Sequence, residues 1–200
     1  MLYQIHRYPA DMIDVVRLER SDGGPERIVI RPVLPQDAPL TGAFFSRLSS
    51  ASRHARFMAP LREVSQPLLD TFTRVDYARH LALVGEVFVD GEEIVVAEAR
   101  YVLTDDGTSA EFAVTVAEDW QGRGLARLML GKLACRAAAA GVATLRGETL
   151  ATNAAMLHLA RTAGFAIRAS AETRGVMELE KRLHPASSAM PCGAAAAAAY

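Results

Sequence analysis

The feature that most constrains this chain is a change of apolar period at Gly124. Upstream, residues 81–89, 93–103 and 109–116 read as three strands, separated by Asp90-Gly91 and Asp105-Asp106-Gly107, which is turn chemistry. Downstream, Ala126, Met129, Leu130, Leu133, Ala137 and Ala140 recur at about 3.6 residues and Gly141 stands where a C-terminal stop belongs. An antiparallel meander that runs straight into a long amphipathic helix has to pack that helix on its own sheet. The class is therefore α/β, of the α+β kind, with a mixed, mostly antiparallel sheet of about six to seven strands flanked by helices.

The rest of the chain fits around this unit. Residues 1–26 read as an extended N-terminal arm that turns at Ser21-Asp22-Gly23-Gly24-Pro25 and enters a strand at 27–31, stopped by Pro32. Residues 36–57 carry helical patterning with Phe44, Phe45 and Leu48 inward, and 65–72 begins a further helix with Ser65 as N-cap. After the long helix come a strand at 143–147, a helix at 152–162, and strands at 166–169 and 176–183. Residues 27–183 form one domain, and 184–200, with its run of alanines, reads as a disordered tail.

Charge excludes some partners. Lys plus Arg number 22 against 23 Asp plus Glu, so the whole-protein field attracts neither nucleic acid nor an anionic membrane. Any anion site has to be local. No stretch reaches the roughly 18 apolar residues of a membrane span. Cys135 and Cys192 have neither metal-ligand nor disulfide-framework spacing, and Cys135 reads as a core residue. A reducing cytoplasm is the natural compartment on that reading, with no metal site.

The candidate for a local anion site is Gln121-Gly122-Arg123-Gly124-Leu125-Ala126, between a strand end and a helix start. The first N–H groups of a helix lack partners and carry about half a positive charge, and glycines let a ligand approach the backbone closely. Arg123 and Arg127 are placed to add charge-assisted hydrogen bonds to phosphate. Two glycines also serve a plain tight turn, so the motif alone leaves both readings open. A dinucleotide fingerprint fails here, because the third glycine position holds Arg127, and no Gly-Lys-Ser/Thr of a Walker loop occurs.

Gln121-x-x-Gly124-x-Ala126 resembles the pyrophosphate loop of the GNAT acetyltransferases, and Asn153, Met156, Leu159 and Gly164-Phe165 resemble that family's following helix and its ending. Arg31-Pro32 with Asp37, residues 52–57, Asp76-Tyr77, the run Ala110-Glu111-Phe112-Ala113-Val114 and Trp120 with the loop are similar to bacterial Pat-type protein lysine acetyltransferases, which often modify acyl-CoA synthetases. The resemblance implies a GNAT fold and acetyl-CoA as co-substrate. It implies that the loop amides hold the pyrophosphate, that Asn153 and Met156 lie on the pantetheine side, and that the backbones of Val114 and Val116 face the cofactor. The acceptor implied is a protein lysine or a small amine. A non-catalytic acyl-CoA-binding regulatory module is the alternative from another class.

An amine acceptor is protonated at neutral pH, and freeing its lone pair costs about 4–5 kcal/mol. Glu111 is the expected general base. It lies on the strand entering the loop, with Ala113 and Thr115 on its face, among apolar neighbours that would desolvate it, and it matches the family's usual base position. Glu98, Glu148 and Glu86 are weaker candidates. A donor near Val114 would meet charge on the thioester oxygen. One departure stands out: the position seven residues after Asn153, often a tyrosine acid in the family, is Ala160, and His158 points to another face. Arg53, His54, Arg56 and Arg62 read either as an acceptor-side basic rim or as a solvated helix face.

Overall fold

The computed structural model describes residues 8–19, 25–184 and 192. The expected turn at Ser21-Asp22-Gly23-Gly24 and the expected disordered tail, apart from His184 and Cys192, lie outside the described residues. In chain order the elements are β1 (Asp14–Glu19), β2 (Pro25–Pro32), α1 (Ala38–Arg47), α2 (Ser50–Phe57), α3 (Gln66–Thr73), β3 (His80–Val89) and β4 (Glu92–Leu103). They continue with β5 (Ser109–Val116), α4 (Leu125–Ala139), β6 (Thr144–Leu150), α5 (Ala154–Thr162), β7 (Ala166–Ala169) and β8 (Val176–Arg182). The eight strands form one sheet in the order β1-β2-β3-β4-β5-β6-β8-β7. Every neighbouring pair is antiparallel except β5 with β6.

Each face of the sheet has its own core. On one, Ile28, Ile30, Leu83, Ala97, Tyr101 and Phe112 pack with Leu125, Met129 and Leu133 of α4 and with Leu157 and Ala160 of α5. On the other, Ala82, Val84 and Val95 pack with Phe44, Phe45 and Leu48 and with Phe72 of α3. Period-two alternation along β3 and β4 sends successive side chains to the two faces, and both are covered, so these strands read as continuous apolar runs.

Three expectations need correction. The strand count is eight because the N-terminal segment contributes β1, which pairs with β2 through its whole length. The buried Lys132 of α4 reaches Asp14 of β1 at 2.6 Å and ties that edge down. The single helix expected over 36–57 is two, because Leu48 is extended and Ser49 opens a new helix with its hydroxyl on the Ser52 N–H at 3.1 Å. A serine offered as N-cap outcompetes helix continuation, and Leu48 is released into the core. Third, Cys135 is a half-buried helix residue joined to Cys192 by a disulfide, with Cα atoms 5.6 Å apart across 57 residues of sequence. Its partner comes from far along the chain, where no spacing rule reaches. The pairing removes the cysteine-based argument for a reducing compartment. Among the described residues no helix is long and apolar enough to cross a membrane.

The functional geometry comes from one irregularity. The parallel pairing of β5 with β6 runs only through Ser109↔Thr144, Ala110↔Leu145 and Glu111↔Arg146, after which the strands part. Phe112 occupies the wedge. An added Cβ on Gly147 would lie 2.8 Å from its ring, which also packs on Phe165 with centroids 5.0 Å apart. Gly147→Ala is therefore expected to push Phe112 out of the wedge and destabilise the fold by about 1–3 kcal/mol, an overpacking cost. Urea unfolding checks this, and an unchanged midpoint would show that the wedge does not depend on the missing side chain.

Candidate functional site

The parting of β5 and β6 leaves backbone groups without a sheet partner, and alternation identifies them. Ala117 N–H donates to Val96 on β4, and the carbonyl of Ser109 accepts from Thr104 next to β4, so the polar groups of odd-numbered residues on β5 face β4. The carbonyl of Thr108 accepts from Ala143 at the start of β6, so those of even-numbered residues face β6. Beyond Glu111 the N–H groups of Val114 and Val116 therefore point into the gap. The Val116 carbonyl is satisfied by the Gln121 amide, whose Nε2 donates at 2.9 Å. The Val114 side chain packs toward α4 and leaves only its backbone for the gap.

The glycine loop closes one end of this gap. Gly122 and Gly124 have φ of +74° and +84°, where a side chain is strained, and nothing lies within 4 Å of the position a Cβ would take at either. Gly124 is the N-cap of α4 and offers no side chain to the first turn, so the N–H groups there stay open to a ligand. Leu125 is buried and fixes the helix start, and Ala126 is half-buried against the core. Arg127 is exposed on the first turn, while the Arg123 guanidinium lies over the Trp120 indole, 4.8 Å from its centroid. Two features of this loop fit a pyrophosphate: helix amides without a side-chain cap and empty space at both glycines.

The other predicted residues lie on β5 and α5. Asn153 caps α5, its Oδ1 accepting the Met156 N–H at 3.1 Å, and Met156 packs half-buried on the core beside it. Glu111 is the last β5 residue in register with β6, at the point of divergence. It is exposed, so the desolvation expected from its strand neighbours is absent from the free protein. Short neighbours on its face, Ala113 and Thr115, leave it uncovered. Ala160 is fully buried, so no hydroxyl projects from that position of α5, and His158 is exposed.

The weaker carboxylates resolve into other roles. Glu86 is buried beside Arg31, which also binds Asp37 at 2.6 Å and Glu93 at 3.1 Å; burial first, then the shared contact with Glu93, push its pKa up to about 7. Glu148 is exposed on β6. Glu98 is the centre of a buried network that the sequence reading did not assemble. It accepts from Arg100 Nε, and Arg56 of α2 stands 3.6 Å away. Arg100 lies over the Phe72 ring at 3.7 Å and places its Nη1 3.1 Å from His80 Nε2. The signal was available: Glu98 and Arg100 are two apart within the apolar run that follows Glu93 in β4, hence on one face.

The basic cluster divides in the same way. Arg53 donates to the Ser46 carbonyl at 3.3 Å and to that of Leu48, so it caps the end of α1. Arg56 is committed to Glu98, and only His54 and Arg62 are exposed. Asp76 accepts the N–H groups of Ala78, Arg79 and His80 and shapes the turn into β3.

Comparison with known proteins agrees with this geometry. The Acetyltransferase (GNAT) family profile matches residues 48–165. The chain is 35% identical to "Acetyltransferase PA5475" of Pseudomonas aeruginosa over 148 residues, 74% of this chain and 79% of that protein. It is 36% identical to "Acetyltransferase Pat" of Mycolicibacterium smegmatis over 132 residues, 66% of this chain but 39% of that longer protein. The GNAT domain of S. lividans PAT superposes with a TM-score of 0.76 at 29% identity, over 88% of this chain and 99% of that one. The chain belongs to the GNAT acetyltransferase family. With that membership comes acetyl-CoA-dependent acyl transfer.

His80 carries a pH signature of the buried network. A guanidinium only donates, so His80 Nε2 accepts and the imidazole is neutral. Burial first, then Arg100, lower its pKa to about 4. The unfolded chain binds a proton near pH 6.5 that the folded one refuses until about pH 4, so stability is complete above that window and falls as pH drops through it. We expect this residue to contribute a loss on the order of 2 kcal/mol between those pH values. Urea unfolding across pH 4–7 should show a shallower acid slope for His80→Gln than for wild type, and equal slopes would contradict the assignment.

Proposed function

We propose that the chain acetylates the side-chain amine of a protein lysine by direct attack, with Glu111 as general base. The observation that carries this reading is the juxtaposition at the splay: a carboxylate at the point of divergence, free Val114 and Val116 amides in the gap, and an anion cradle at its end. Acetyl-CoA supplies an activated acyl carbonyl on a thiol leaving group. The amides of Gly122, Arg123 and Gly124, with Gln121 bracing the loop through the Val116 carbonyl, Leu125 and Ala126 fixing the helix start and Arg127 adding charge, would hold its pyrophosphate. Asn153 and Met156 would line the pantetheine side.

Val114 N–H is the donor that meets negative charge on the carbonyl oxygen, from a fixed position that needs no reorganisation. Glu111 takes the ammonium proton. Glu111 and Val114 are three residues apart, about 10 Å along the strand, so the ammonium proton would reach the carboxylate through a relay of water. Because Glu111 is exposed, its desolvation has to come from the acceptor that covers it, which favours a macromolecular acceptor with a contact surface over a small amine. An acyl-CoA synthetase is the class of acceptor that the Pat resemblance points to, and the cytoplasm, where acetyl-CoA is made, is the compartment we assign.

Two measurements test this reading. Thiol release from acetyl-CoA should proceed with a panel of acyl-CoA synthetases, with acetyl-lysine mapped by mass spectrometry. Glu111→Gln should lower kcat at least about tenfold and leave acetyl-CoA affinity within about threefold. Turnover on small amines alone would overturn the acceptor assignment, and an unimpaired variant would overturn the base. Separately, Arg127→Ala should weaken acetyl-CoA binding by about 1–2 kcal/mol in calorimetry, and the wild-type affinity should fall more steeply with salt than the variant's.

A further inference from the structure

Helix α2 is the element that the reaction just described leaves without a role, and its attachment is unusual. It is eight residues long, contains no fully buried residue, and touches both β5 and β6, so it lies across the place where those strands part. A helix so short is marginal by itself, and with no buried side chain its position is set by what holds its ends. Its C-terminal end is held by Arg56, which pairs with buried Glu98 and lies over the rings of Phe57 and Phe72.

Its N-terminal end is held from far away in sequence. Glu118 Oε1 accepts the N–H of Ser49, the residue that caps α2, at 2.9 Å across 69 positions. A carboxylate at that end also complements the helix dipole. Although partial burial pushes the Glu118 carboxyl up, hydrogen bonds from Ser52 and Ser49 hold its pKa down to about 2, so it is ionised at any working pH.

Glu118 begins the 3-10 turn Glu118–Trp120, and Gln121 of the glycine loop follows directly. The turn is internally braced: Ala117 N–H donates to Val96, Trp120 N–H to Ala117 and Gln121 N–H to Glu118. A ligand that fixes the loop therefore fixes the turn, and with it the carboxylate that holds α2. We propose that Glu118 is a positioning residue through which acetyl-CoA at the glycine loop sets α2 over the acceptor side of the splay. This rests on the loop being the cofactor's pyrophosphate site.

The test is hydrogen exchange of the α2 amides in the full chain, with and without saturating acetyl-CoA, in wild type and Glu118→Ala, alongside calorimetry and acceptor kinetics. Acetyl-CoA should slow exchange in wild-type α2 by about tenfold. In the variant that slowing should vanish while acetyl-CoA still binds within about threefold of the wild-type affinity. Acceptor KM should rise at least about fivefold with kcat within about twofold. A merely structural Glu118 would lower the melting temperature but leave the ligand-induced slowing intact. Equal slowing in both proteins, or none in a wild type that binds acetyl-CoA, overturns the coupling alone; a wild type that binds no acetyl-CoA overturns the loop assignment and the coupling with it. Should Glu118→Ala fail to fold, Glu118→Leu keeps the bulk and removes the acceptor for the Ser49 N–H, and the same outcomes decide.

Discussion

The structure depends on a missing set of hydrogen bonds. Sheets do not tolerate unpaired backbone groups within them, and a buried one costs about 1–3 kcal/mol. Here β5 and β6 part after three register pairs, and the cost is contained from both sides. The Phe112 ring packs against Gly147 where the strands part, and the Gln121 amide satisfies the Val116 carbonyl at the end of β5. What remains open is a short row of N–H donors. The same side chain that repairs the strand end, Gln121, opens the glycine loop, so the repair of the sheet and the start of the anion cradle are one feature.

Electrostatics works locally in a protein whose charges nearly cancel. Helix amides at Gly124 require no net positive charge to attract phosphate. The strongest fixed charges are instead buried away from the loop, where Glu98 joins Arg56 and Arg100 between β4 and α2. Such a network adds little net stability over apolar packing, but separating its members leaves a buried charge without compensation. It therefore acts as a register device. Of the positions available to a short polar helix, only the one that brings Arg56 to Glu98 is tolerated, and that position crosses the splay.

Local pattern made much of this readable. The meander, the period change at Gly124 and the two downstream helices follow from alternation, turn residues and helix periodicity, each a property of neighbours in sequence, and β5 and β7 fall on the expected residues. The loop was legible for the same reason, since a strand, two glycines and a helix are contiguous. What escaped depends on distant partners. Strand β1 exists because β2 pairs with it and Lys132 reaches Asp14; Glu118 matters because Ser49 lies beside it; Cys135 meets Cys192 across 57 residues. Glu111 shows the limit differently: its strand and face are periodic facts, but its exposure depends on how far the covering helices extend along that face, and they leave Glu111 exposed.

Ala160 bears on how the two proton transfers share the work. Its carbonyl accepts the Phe165 N–H, and its side chain is wholly inside the core, so a larger residue there would displace α5 from the sheet. The magnitudes indicate why such a position can do without a hydroxyl. An alkylammonium with a pKa of about 10.4 must lose a proton at neutral pH, a cost of about 4–5 kcal/mol, whereas a thiol of pKa about 8.5 that departs as thiolate forgoes only about 2 kcal/mol. Removing the acid thus sacrifices the smaller term, and solvent at the open end of the gap recovers part of it. Removing the base sacrifices the larger. On the mechanism proposed above, Glu111 stands where the larger cost falls, and the position of Ala160 serves packing.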